Sequence, residues 1–493
     1  MSMGVRPRPL GGVLRLSPVL FALVLVLWTG TAPAADITVN CPASINIALG
    51  GLNKAGPNSV TITGTCVEAV VVDGFTNLAL GGGAVIKRPA IYPDPYSAAP
   101  ALQITGSEGV NINGLTFQED TGSIAYSVPL VRASRSHVWM GNFTIQGSHS
   151  GGLSVEDHSD AWIEAATIQD NGDPTNQASG IGVSGFSHVS ISMWLGGAGP
   201  SLIKGNGTGL SASSGATVEV GDVKLQDNAG SAVAASYGAV VTLGGWNPQA
   251  PTITGNAALP NFTAVDAAYG GEIWIVDPTA VVDNRGNGAG ANLGGRLIVC
   301  CGPGITFSNN DGFGISTWMG GQVFFWGPAL VQNNKKGGMA LFSSQAFVLP
   351  NVVIRGNGDP SDPNSRGGVE LVYNSTMQGG WTVADNYGPG VFIQTGSSAL
   401  FDSISAITGN KGYGVQLEMN ATATFADGTT VTGNKGYDLV CTTGSVAGVP
   451  KGQRPNIGKM KCPDWAQLTP PPAWATATAG ATASPLTHRG KPR

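Results

Sequence analysis

Large apolar residues alternate with small or polar ones over short stretches along most of the chain. In the unit that opens at Gly390, the apolar positions are Val391, Ile393, Leu400, Ile404 and Ile407, with Gly, Ser, Thr and Asn between the stretches. A period of two rather than 3.6, interrupted every few residues by turn formers, predicts short strands and tight turns instead of helices. The unit recurs. One large apolar residue, two spacers and an Asn appear as Ile168-Gln169-Asp170-Asn171. Asn206, Asn228, Asn256, Asn284, Asn310, Asn334, Asn357, Asn386, Asn410 and Asn434 then each stand three residues after an Ile, Leu, Val or Phe. The spacing is roughly 26 residues, and a unit that short encloses no core alone, so it must stack on copies of itself. Two earlier copies vary the last residue: Phe117-Gln118-Glu119-Asp120 and Ile145-Gln146-Gly147-Ser148.

Three short strands per unit, paired in parallel with the next unit about 4.8 Å away, predict an all-β fold. The expected form is a single-stranded right-handed parallel β-helix, a solenoid of about 12–14 coils carrying an Asn ladder. An Asn at one turn can bond along the axis to its equivalent in the next coil, satisfying turn amides that would otherwise be buried unpaired. The Gly that often follows, as in Asn410-Lys411-Gly412, is expected to supply the positive φ of the turn. Residues 35–100 are expected to form an amino-terminal cap and the first coils, 101–440 the body of the helix, and 441–468 a carboxy-terminal cap. The Pro- and Tyr-rich loop Pro89 to Tyr96 serves either the cap or a ligand-binding lip. Beyond it all, 469–493 reads as a disordered, low-complexity tail.

The first 34 residues read as a signal peptide: Arg6, Arg8 and Arg15, an apolar run from Val19 to Trp28, then Ala32-Pro33-Ala34 as a cleavage site. The expected location is therefore secreted or periplasmic, with no transmembrane segment after cleavage. In an oxidising compartment six Cys pair. Cys41 with Cys66 and Cys441 with Cys462 would pin the two ends, while the adjacent Cys300 and Cys301 leave a vicinal disulfide, buried thiols or a soft-metal site open. With 74 Gly and only 11% charged residues the composition suits many turns. A net charge of −5 without a basic block gives nucleic acid no electrostatic footing as a partner.

Aligning the coils brings candidate chemistry together. His137, Asp160 and His188 fall at one position in successive coils, close enough for a proton relay or part of a metal site. Arg135 and His158 stand two residues before that position, and Glu156 lies on the preceding strand. Base, acid and carboxylate-neutralising cation are the set that a polysaccharide lyase or a C5-epimerase needs, although a polar turn stack would look the same. Trp139 and Trp162 align as a substrate platform or as edge packing. Trp318 and Phe342 align as an outward aromatic pair of the kind that stacks on a sugar ring. Two oxygen-rich insertions follow ladder Asn residues, and a calcium ion at Asp173/Asn176 or Asp359/Asp362 is a minor expectation; no other cofactor is expected. A weaker option is metal handling by Cys300, Cys301 and Met319.

The region from about 101 to 440 resembles the right-handed parallel β-helix superfamily, the pectate-lyase-like proteins, where such Asn ladders occur. The resemblance implies that fold and a set of possible roles, from polysaccharide-active enzymes to adhesins, phage tail fibres and other surface proteins. The catalytic strings of its enzymes are missing: neither Asn-Thr-Asp nor Gly-His-Gly occurs. Asp173-Pro174-Thr175-Asn176 and Asp359-Pro360-Ser361-Asp362 lack the His of an epimerase Asp-Pro-His-Asp. The sequence is therefore read as an exported, monomeric or weakly associated β-helix that binds a carbohydrate or other cell-surface polymer, the alternative being a lyase or C5-epimerase acting on a uronate-containing polymer.

Overall fold

The computed structural model describes residues 34–468, apart from 91–98, 121–127, 173–177, 193–198, 246–250, 260–261, 363–364, 443 and 464. Residues 1–33 of the expected signal peptide, the expected tail after 468, the proposed calcium ligands Asp173 and Asn176, and most of the Pro- and Tyr-rich loop lie outside the described residues. Inside them the chain is a parallel β-solenoid. One sheet of 32 strands carries two strands from each coil, and a second sheet of 16 strands carries the third. Every strand pairing is parallel and joins equivalent positions of neighbouring coils, as in Phe313–Trp318 against Gly337–Phe342. The solenoid has about 16 turns, more than the 12–14 expected, because both presumed caps are themselves coiled. The 32-strand sheet already begins at Ala35–Asn40, and the 16-strand face ends only at Met460–Lys461. The short helix Ile45–Gly50 is the exception, capped by the Ser44 hydroxyl.

Alternation decides which side chains enter the core. In Gln322–Phe325 the inward Val323 and Phe325 are fully buried while Gln322 and Phe324 point out. Successive coils then stack like on like: Phe401 and Phe425 lie 4.9 Å apart at 5° between ring planes. Disulfides Cys41–Cys66 and Cys441–Cys462 tie down the first and last coils, and Cys300 is bonded to Cys301. Among the described residues no helix is long and apolar enough to cross a membrane.

Two corners bound the 16-strand face. At the first, the Asn ladder explains the whole recurring phrase. Asn310 Oδ1 accepts from both the backbone N–H and the Nδ2 of Asn284, at 3.1 and 2.9 Å. Its own Nδ2 donates to Asn334 Oδ1 at 2.8 Å and to the Val281 carbonyl at 3.3 Å. Val281 is the apolar residue three before Asn284, so the amide of one coil locks onto the phrase of the coil before it. The pattern repeats through Asn334, Asn357, Asn386 and Asn410. It ends on Asp438, whose Oδ1 takes both donors of Asn434.

At the amino end Ser148 donates its backbone N–H to Asn171 Oδ1 and its hydroxyl to Glu119. Glu119 in turn pairs with the fully buried Arg88 and with His149 Nδ1 at 2.6 Å. The glycine expectation holds only in part. Gly172 and Gly358, directly after ladder Asn residues, have φ 80° and 97°, but in every ladder coil the residue before the Asn is left-handed, as at Asp283, Asn309 and Gly409, and Gly412 is instead needed for a close approach: a Cβ there would meet the Gly388 carbonyl carbon at 2.6 Å.

The second corner lies between the 16-strand face and the next strand of the larger sheet. In the early coils it carries a buried serine ladder. The N–H groups of Ser107, Ser136 and Ser159 each donate to the hydroxyl of Ser136, Ser159 and Ser187 in turn, at 3.1 Å. A second run joins Ser344, Ser375 and Ser397. Between the runs the equivalent positions are Ala216, Ala239, Gly271, Gly295 and Gly321.

Candidate functional site

Two places gather chemistry on the outer surface. The first follows the serine ladder. Strands His137–Gly141, Asp160–Glu164 and His188–Ile191 pair in register, so His137, Asp160 and His188 stand side by side. All three point outward and are partly exposed. Asp160 bridges the imidazoles: one oxygen lies 3.2 Å from His137 Nε2 and the other 3.5 Å from His188 Nδ1. A carboxylate in that position fixes the orientation of both rings.

The other residues grouped with this trio by sequence have different partners. Glu156 sits on the 16-strand face, where Arg132 pairs with it and Ser154 Oγ approaches at 3.5 Å. The His158 ring stacks on Phe186, centroids 5.7 Å apart. Arg135 occupies the turn with φ 51°. Among the described residues no hydrogen bond or ion pair joins Glu156, His158 or Arg135 to the trio. Trp139 and Trp162 pair two residues further along the same strands, 6.3 Å apart and tilted by 36°.

The second place is a cleft of about 690 Å³ over the middle of the 16-strand face. Strands Thr263–Ala268, Asn287–Asn292 and Phe313–Trp318 contribute its floor and margin. One wall, on the Asn-ladder side, holds Arg285, Asp311, Lys336, Phe262 and Phe313; the opposite wall holds Leu293, Trp318 and Met319; Asn292 and Ser316 lie between. Trp318 and Phe342 are register neighbours whose rings stack at 4.1 Å and 18°, and Tyr373 continues the row at 6.5 Å from Phe342. The Trp318 indole N–H donates to Ser316 Oγ at 3.2 Å, which fixes the ring on the polar floor.

The cleft neighbourhood also contains a carboxyl that sequence reading missed. Asp266 occupies the outward column of Ser211 and Ser316, linked through Ala234 and Gly290. Continuing the coil alignment through that strand finds it. It is half-buried by accessible surface yet densely enclosed by protein, and burial pushes its pKa up to about 6 against the opposing hydrogen bond from Asn292 Nδ2 at 2.5 Å. Further along the column Glu370 is buried, and burial likewise raises its pKa despite Arg366 at 3.3 Å.

The metal expectations fare differently. Asp359 Oδ1 accepts from the N–H and hydroxyl of Ser361, and these bonds hold its carboxyl below the usual range. No cluster of three or more His, Cys, Asp or Glu suited to a metal occurs among the described residues. As a disulfide, Cys300 and Cys301 present no thiolate to a metal, and Met319 belongs to the corner beside the 16-strand face.

No protein-family model matches the chain, and no functionally curated protein matches it by sequence. Solved structures do. An alginate lyase from Paenibacillus sp. str. FPU-7 is 11% identical over 81% of this chain and 95% of its own, with a TM-score of 0.27. The A-module of a mannuronan C-5 epimerase from Azotobacter vinelandii is 11% identical over 86% and 92%, at 0.33. The tailspike protein of E. coli bacteriophage HK620 is 11% identical over 88% and 72%, at 0.27. Likenesses this distant bear on no activity; the chain's own strand register is what makes it a parallel β-helix with an Asn ladder.

Proposed function

We propose that the protein is an exported β-helix that binds a polysaccharide in the cleft over its 16-strand face. The observation that carries this reading is the stacked, partly exposed Trp318–Phe342 pair at the cleft margin, joined to a floor of Asn and Ser side chains. A pyranose ring has an apolar face and an equatorial belt of hydroxyls. Flat aromatic rings beside fixed polar groups match both. The chain acts as a monomer in this reading. Native gels cast with alginate, polygalacturonate, xyloglucan or galactomannan test it: at least one polymer should retard the protein, and Trp318→Ala with Phe342→Ala should abolish the retardation. Unchanged migration of that double variant in a retarding gel would sink the reading. Export is tested separately, by amino-terminal sequencing of secreted protein, which should begin just after Ala34 or Ala35.

A second reading is favoured by one observation, the carboxylate of Asp160 shared between two outward imidazoles. The trio would exchange a proton with a uronate-containing polymer, as a lyase or C5-epimerase does. Ultraviolet absorbance from unsaturated products, present for the natural protein and absent for His137→Ala, is the expected signature of the lyase. Equal activity of the two proteins would remove the trio from catalysis.

A further inference from the structure

Nine successive coils place a non-glycine residue in the left-handed region at the corner that borders the cleft: Ser214, Tyr237, Tyr269, Leu293, Met319, Ser343, Tyr373, Thr395 and Met419, with φ from 48° to 57°. Register fixes them as one column, because each follows paired positions such as Asn292, Trp318, Phe342 and Val372. A bulky side chain at positive φ is an outlier, since its Cβ crowds the backbone. Here six of the nine are large apolar or aromatic side chains, and they are also exposed, from 40% for Leu293 to 64% for Met319. Burial within the protein therefore offsets little of the strain. The other corner of the same face meets the same requirement with Asp, Asn or Gly before all eleven ladder Asn residues, so the fold itself does not demand bulk. Strain that ring contacts within the column, such as Tyr237 on Tyr269, return only in part points to an external contact.

We infer that this column is a rail for a long, linear polysaccharide lying parallel to the solenoid axis, continuous with the cleft and extending well past it in both directions. The inference rests on the polysaccharide reading of the cleft and deepens it from one ring-stacking site to a repeated one. Three features select this occupant. The rail repeats at the coil rise, so from Tyr237 to Met419 it spans about 34 Å at about 4.8 Å per coil, and a translationally repeating surface suits a translationally repeating polymer. Tyr237 and Tyr269 stack on each other at 5.4 Å and 12°, and Trp318 and Phe342 repeat that ring-on-ring arrangement further along the same edge. Small polar residues interrupt the column at Ser214, Ser343 and Thr395, so it is no continuous apolar strip of the kind a protein partner or a second copy would cover.

The test replaces the rail without harming the fold. Asn tolerates left-handed backbone, so Tyr237→Asn with Tyr269→Asn removes both rings and relieves strain. Affinity is measured for whichever of the four polymers retards the natural protein and for a short oligosaccharide cut from it. Because separate contacts on one chain multiply, the double variant should lose about tenfold or more in affinity for the polymer while binding the oligosaccharide unchanged. Undiminished polymer affinity, with Trp318→Ala still impaired, would overturn the rail and leave the cleft reading standing. A dimeric natural protein made monomeric by the double variant would overturn it in favour of a self-association surface. Retardation by none of the polymers would fell the cleft reading and the rail together.

Discussion

The two corners flanking the 16-strand face meet one geometric demand, a left-handed residue in each coil, with opposite chemistry. Along the ladder corner the position holds Asp, Asn or Gly, and the next residue is an Asn with nearly every polar atom bonded. Along the other corner the middle coils hold Tyr, Leu and Met, exposed, over Ala or Gly positions that carry no side-chain ladder. At Gly271, Gly295 and Gly321 a Cβ would run into the preceding coil's carbonyl oxygen, near 2 Å, so this turn is tight and leaves no room for a bonded side chain inside. One corner is built for cohesion between coils. The other gives up cohesion and some backbone ease to display rings. The difference teaches that within a solenoid, where every coil repeats the same backbone, departures from the cheapest residue mark what is not scaffold.

Three stability measurements can break or sharpen this contrast. The largest effect is expected at the ladder. Asn310→Ala leaves the buried N–H of Asn284 without its acceptor, strips one acceptor from Asn284 Nδ2 and one donor from the Val281 carbonyl, and should lower unfolding free energy by about 3 kcal/mol in urea titration. A loss below about 1 kcal/mol would mean the ladder is not what holds the coils in register.

Asp266→Asn should give an intermediate, pH-dependent gain. The folded carboxyl titrates near 6 against an ordinary value of 3.8, so ionisation costs the folded state. That cost is absent below the ordinary pKa, grows as pH rises toward 6 and is complete above it. The variant should match the natural protein at about pH 4 and exceed it by on the order of 2 kcal/mol at neutral pH. The otherwise unpartnered Asn292 Oδ1 is available to its new amide. Equal stability at both pH values would show that Asp266 is better solvated than its enclosure implies.

The smallest effect is expected on the rail, where Tyr269→Asn should raise stability by about 0.5–1 kcal/mol by relieving left-handed strain. A clear loss would show that Tyr269 is stabilised by packing, and would remove the reason to look for an external ligand.

Much of this was legible beforehand because stacking makes sequence distance irrelevant and register decisive. The recurring Asn and the alternation around Val391 and Ile393 were enough to place His137 beside Asp160 and Trp318 beside Phe342. Asp266 shares the column of Ser211 and Ser316, but its neighbours there are Ala234 and Gly290, so no polar repeat in the sequence draws attention to it. Ser136, Ser159 and Ser187 each stand one residue before the outward trio, a regularity that was open to reading as a second ladder. Glu156, His158 and Arg135 were grouped with the trio because they are near in sequence, but a corner intervenes and turns them toward Arg132, Phe186 and solvent.

What the sequence by itself determined is the repeat: its period, the inward side chains and the columns they form, since those follow from alternation and from an Asn that bonds only to its own kind. What only the tertiary structure decided is which turn residues are left-handed and where a cleft opens. Backbone sign at a corner depends on how closely the neighbouring coil approaches, as Gly412 and Gly321 show, and that approach is a property of the stack rather than of any one unit. The exposed tyrosines therefore read in sequence as ordinary turn residues, and only in the stack do they fall into one left-handed column with Leu293, Met319 and Met419.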